Sequence, residues 1–168
     1  MKYFQLFCGT FVFLWVCISD SIADDLQSSR EAVSQLLKKE GGGLVVQESK
    51  CPKKIGNLWE FVTDTQVVPI NASSNAILIN SEMCGGGNKN GQYLVVTQNG
   101  KSEVITNAEI GDMTFLGKIT HVDGDVIYLS GMRWLENDPH CCPSKDAVLE
   151  YNVKTHKHGF KLTANRAN

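Results

Sequence analysis

His140, Cys141 and Cys142 sit in the stretch Asn137-Asp138-Pro139-His140-Cys141-Cys142-Pro143-Ser144. Sulfur beside imidazole suits three kinds of chemistry: thiol–disulfide exchange, soft-metal binding, or stapling of an exported chain. Exchange catalysts separate their cysteines by two residues at a helix start, where the helix dipole lowers one thiol's pKa. Here the cysteines are adjacent and Pro143 follows, in a segment that reads as loop before a strand, which argues against that activity. For metal, His140, Cys141, Cys142, His156 and His158 include the ligand types that zinc and copper(I) take, and His121 could join them. Their spacing matches no common zinc pattern, and His156 and His158 lie in the lysine-bearing turn KTHKHG. A metal or thiol-redox centre on this loop is therefore the alternative reading, and no cofactor is expected.

Other chemistries find less support. CGGGNKNG, residues 84–91, lacks the Lys-Ser/Thr that ends a phosphate-cradling loop, and it leads into a strand instead of a helix. Ser130-Gly131 lacks the preceding glycine of a nucleophile elbow, His121 has no marked partner, and Asp123 and Asp125 read as hairpin-turn acids. No set of residues reads as catalytic, so an enzyme is not expected. Asn71-Ala72-Ser73 fits the N-glycosylation acceptor pattern. Recognition is better served: Arg133 and Trp134 precede the cysteines, and both types are enriched where binding energy concentrates. With Asn137, Asp138 and His140 they make a candidate binding loop, although Trp134 also suits a core position ending the strand DVIYLSG.

The elements that must position this loop begin with an export signal. One lysine, an apolar run from Tyr3 to Ile18, and the small-x-small triplet Ser21-Ile22-Ala23 form a signal-peptide pattern, with cleavage expected after Ala23. The apolar run is short for a membrane span, so no integral membrane segment is expected after cleavage. The remaining residues, 24–168, suit a single domain. A net charge of −2 with no basic stripe makes nucleic acid an unsuitable partner. Lys50, Lys53 and Lys54 cluster as a solvated turn.

SSREAVSQLLKKEGGG carries Ser28 three residues ahead of Glu31, a capping-box pattern, and Ala32, Val33, Leu36 and Leu37 share one helical face. Gly41 to Gly43 should stop that helix, making residues 24–43 a helix with a glycine stop. From Leu44 onward short β-branched and aromatic runs alternate with turn residues. Asn99-Gly100 and Asp123-Gly124 mark tight hairpins, and KTHKHG marks a looser one. The expected fold is mainly β (α+β), with one N-terminal amphipathic helix packed on an antiparallel meander, disulfide-stabilised. Residues 44–84 could form a sub-layer of their own.

EIGD at 109–112, DGDVIYL at 123–129 and NDPHCCPS at 137–144 resemble the C-terminal part of small exported bacterial proteins, some described as lipoproteins of the LppP/LprE type. The likeness covers about a third of the chain. It implies an envelope or secreted location and no particular activity. Four cysteines remain after cleavage, Cys51, Cys84, Cys141 and Cys142, an even number that suits disulfides in an exported chain. The resemblance implies a bond within the adjacent pair, leaving Cys51 with Cys84. The competing arrangement ties Cys141 and Cys142 to Cys51 and Cys84. The expected function is a secreted or periplasmic binding or inhibitory module acting on a protein or cell-wall partner.

Overall fold

The computed structural model describes residues 6–45, 51, 58–84, 90–111 and 114–163. The glycine-rich residues 85–89, the lysine turn around Lys50, Lys53 and Lys54, and Asp112 of the EIGD stretch lie outside them. Among the described residues the chain is mainly β with one helix. Helix α1 spans Leu6–Lys39, and the strands are β1 (Gly43–Val45), β2 (Trp59–Asn71), β3 (Ser74–Met83), β4 (Asn90–Gln98), β5 (Lys101–Ile105), β6 (Phe115–Asp123), β7 (Val126–Arg133), β8 (Lys145–Asn152) and β9 (Lys157–Leu162).

The helix does not start at Ser28. It runs through that position, so Ser28 caps nothing; its hydroxyl donates back to the Asp25 carbonyl (3.1 Å) and meets Ser102 Oγ at 2.6 Å. A serine inside a helix commonly satisfies itself in this way. The stop is where the glycines predict it. Gly41 takes a φ of +87°, its amide donates to Lys38 O, and the Gly42 amide donates to Leu37 O. These are the two bonds of a Schellman ending.

The strands do not form one meander. They divide into a five-stranded sheet ordered β1-β2-β3-β4-β5, in which β1 runs parallel to β2, and a four-stranded antiparallel sheet ordered β6-β7-β8-β9. Alternation along β3 explains the layering. Ala76 and Leu78 enter a core shared with Leu94, Phe115, Ile127, Leu129, Leu149 and Tyr151 between the sheets. Ile77 and Ile79 face the other way, where Val33 and Leu37 of α1 are buried with Val62 and Val95. Each fully buried Val, Leu, Ile or Phe among them is worth about 1.5–3 kcal/mol of transfer free energy.

Strand β2 is longer than its sequence suggests, because Pro69 reads as a strand breaker. Beyond Phe61 no described strand pairs with its outer edge, and there a proline removes no ladder bond. Asn99 (φ +51°) and Gly100 (φ +74°) both adopt the left-handed conformation of a type I′ turn. The β6–β7 turn sits one residue later than Asp123-Gly124. Asp123 pairs with Val126, and Gly124 alone has a positive φ, the type II′ pattern. Asn71, Ala72 and Ser73 lie exposed at the β2–β3 turn, where Asn71 Oδ1 accepts from the Ser73 amide.

Two glutamines fasten one sheet to the other. Strand β6 is an edge, so the outward N–H and C=O of Gly117 and Ile119 have no strand partner. The Gln92 carboxamide fills the first gap, donating to Gly117 O (2.8 Å) and accepting from Gly117 N (3.0 Å). Gln66 does the same at Ile119, with 2.6 and 2.8 Å contacts. Each side-chain amide copies the pairing that a further strand would supply.

Candidate functional site

The candidate loop leaves β7 after Arg133 and enters β8 at Lys145. One side chain organises it. Asp138 Oδ2 accepts from the Leu135 amide (2.8 Å) and from the Ser144 amide (2.9 Å), which fastens the two ends of the loop together. The Asp138 amide donates to Leu135 O and the Cys142 amide to Pro139 O, each closing a tight turn. Between the fastenings, Glu136, Asn137, Pro139, His140, Cys141 and Cys142 are exposed, and Leu135 exposes 46% of its surface.

The Asp138 carboxyl is held below its ordinary value, first by the Leu135 backbone N–H and then by Ser144, both of which stabilise the charged form. A depressed carboxylate pKa contributes order above the ordinary Asp value and loses it as pH falls through the folded value. The Leu135 and Ser144 amide resonances should therefore hold their positions down to pH of about 4 and move together only below it. An NMR pH titration reads this directly. An inflection at or above the ordinary Asp value would show that the carboxylate does not fasten the loop.

Arg133 and Trp134 belong to the base of the loop and not to its tip. The Arg133 guanidinium lies 4.1 Å from the Phe160 ring centroid and 3.9 Å from the Glu109 carboxylate. The Trp134 amide donates to Thr114 O, and the indole Nε1 is buried with no hydrogen-bond partner among the described residues. Asn137 and His140 are the sequence-selected residues that face solvent, and Asp138 acts through backbone amides.

Both sulfur pairs are oxidised. Cys51 is bonded to Cys84 across a sequence separation of 33, with Cα atoms 5.4 Å apart. Cys141 is bonded to Cys142, with Cα atoms 3.7 Å apart. With its sulfurs joined, the adjacent pair presents no thiolate to a metal. Among the described residues no group of three His, Cys, Asp or Glu side chains is placed to hold a metal ion. His158 lies 4.0 Å from Glu109, His156 lies 3.9 Å from Glu103, and His121 stacks on Tyr128.

A second concavity was not legible from residue types. A cleft of about 510 Å³ opens between the sheets where the hairpin turns converge. The register puts it opposite the candidate loop, since Val126 and Asn152 pair at the cleft end of β7 and β8 while Arg133 and Lys145 pair at the loop end. Tyr151 is fully buried there, and its hydroxyl meets His156 Nδ1 at 3.1 Å. Burial, and then the charge of Glu103, push the Tyr151 phenol above its ordinary pKa. His156 takes a φ of +53°, and its carbonyl accepts from Asn107 Nδ2 at 2.9 Å. Such a backbone conformation persists only where its surroundings hold it. The contacts account for the turn, and they give the cleft a polar rim over an apolar floor.

Glu60 is the third chemically distinctive group. Its buried carboxylate accepts from Tyr93 Oη, 2.8 Å from each oxygen, and from Ser81 Oγ. A Cβ at Gly91 would collide with it, so the space beside it is closed. Its role is to satisfy polar groups on the β2–β3–β4 face. No protein-family model matches this chain, and no curated protein or solved structure matches it.

Proposed function

We propose that residues 24–168 act as a single exported, non-enzymatic binding or inhibitory module that engages a protein or cell-wall partner through the tip of the 134–144 loop. The observation that carries this reading is the Asp138 clasp. A loop closed at both ends by one carboxylate, with exposed Asn137, His140 and the joined cysteines between, loses little entropy when a partner binds. The helix on one face of the β-rich body and the Cys51–Cys84 bond supply a stable scaffold for it. Export through the N-terminal signal is supported by the two disulfides, which suit an oxidising compartment.

The test takes the tagged mature protein as bait in an envelope or secreted fraction and compares retention of the captured partner by the unmodified protein and by one double variant. Asn137→Ala with His140→Ala should weaken binding about tenfold or more, the loss of roughly 1.4 kcal/mol expected for tip contacts, while leaving the melting point unchanged. Arg133→Ala is a poor probe, because it also strips packing from Phe160. Equal retention of the partner by the double variant would move the working surface off this loop.

A further inference from the structure

We propose that Cys141–Cys142 is a thiol-exchange site, opened by dithiols in preference to Cys51–Cys84, and that opening it releases the tip of the loop. The inference rests on the loop being the working surface only for its consequence in binding; the exchange itself does not depend on a partner.

Three observations carry it. First, both cysteines of the adjacent pair are exposed, whereas of the other pair Cys51 is exposed and Cys84 is half-buried with its amide bonded to Trp59 O. A thiolate must approach along the S–S axis, so the loop pair can be attacked at either sulfur and the second bond is open chiefly on its Cys51 side. Second, adjacency fixes the Cα atoms 3.7 Å apart, below the roughly 4.4–6.8 Å that disulfides ordinarily span, and departures from that range make a bond more reducible. Cys51 and Cys84, at 5.4 Å, lie inside it. Third, the fold returns the two bonds differently. At Cys51–Cys84 the Cys84 amide is tied to Trp59 O in the sheet, which fixes that end of the bond. At the loop, the Asp138 fastenings stop at Leu135 and Ser144, so none of them holds the two sulfurs in bonding orientation.

The reaction is an exchange with a small or protein dithiol. A thiolate of the reagent attacks one loop sulfur, the S–S bond breaks, and the other cysteine leaves as thiolate. The reagent's second thiol, as thiolate, then attacks its own sulfur in the mixed disulfide, which frees the second cysteine. Two electrons pass to the protein, two protons move from reagent thiols to cysteine thiols, and the reagent leaves as its disulfide. Because the Asp138 bonds do not involve sulfur, the loop ends stay fastened while the turn at Pro139–Cys142 is let go.

The experiment titrates the native, full-length mature protein with dithiothreitol, quenches in acid, alkylates and maps the peptides. Half-alkylation of Cys141 and Cys142 should come at a reductant concentration at least tenfold below that for Cys51 and Cys84. Simultaneous opening of the two bonds, or earlier opening of Cys51–Cys84, overturns the proposal. Amide exchange followed by NMR on the reduced protein tests the release. The residue-142 amide should exchange at least tenfold faster, with the Leu135 and Ser144 amides unchanged. The Cys141→Ser, Cys142→Ser double variant should show that pattern without reductant. If residue 142 exchanges as slowly in that variant as in the oxidised protein, the bond does not shape the loop and the release is refuted. None of these readouts needs a partner, so they fail or succeed independently of the binding test.

Discussion

Gln92→Leu should lower the unfolding free energy by about 2–4 kcal/mol, a large effect for a glutamine on a strand. The substitution keeps the side chain's bulk but leaves Gly117 N and Gly117 O without protein partners in a half-buried seam, and each such group costs about 1–3 kcal/mol. Gln92 Nε2 also donates to Asn80 Oδ1 at 2.7 Å, so a third contact goes with it. Gln66→Leu should cost less, because Gln66 is only half-buried and water can replace its carboxamide. Urea unfolding of the mature protein measures both. A loss under about 1 kcal/mol for Gln92→Leu would mean that water satisfies the β6 edge and that the glutamines do not join the sheets.

Cys51→Ser combined with Cys84→Ser should cost a further kind of stability, about 3–4 kcal/mol, by freeing a loop of some 33 residues in the unfolded chain. That corresponds to a melting point roughly 10 °C lower for a chain of this length. The comparison that isolates the cause is Cys141→Ser with Cys142→Ser. That bond joins neighbours and closes no chain loop, so its loss should change stability by less than about 1 kcal/mol. Calorimetry on the two double variants decides it. Equal effects would remove loop closure as the explanation.

Much of the fold is legible in residue order. Asn99-Gly100 marks its hairpin, Gly41 ends the helix, and Val33 and Leu37 lie on the buried helical face because those signals are local. What order along the chain does not encode is which strand edges meet. The described strands read in sequence as one meander, since the choice of two sheets depends on contacts such as Gln66 to Ile119, 53 residues apart. The glutamines did carry a signal. Gln92 shares its face of β4 with Leu94 and Val96, and Gln66 shares its face of β2 with Val68 and Ile70, positions that line the inter-sheet core. A polar residue in step with core positions asks for a buried partner. At the loop, residue type singles out Arg133 and Trp134, but tertiary packing takes both for the base. Asp138 does the organising because a carboxylate can reach two backbone amides that only folding brings together.

The two-sided burial of β3 and β4 bears on how the chain folds and opens. These strands are joined by near-neighbour pairing from Ser74–Gln98 to Glu82–Asn90, and they supply apolar side chains to both cores. Both lie in the five-stranded layer that separates the helix from the four-stranded sheet's core. A transient opening that lifts α1 leaves the inter-sheet core in place, and one that detaches β6–β9 leaves the helix docked. The β3–β4 hairpin is the shared unit that neither opening can spare, so its amides belong to the slowest-exchanging class, exposed only when the whole molecule unfolds.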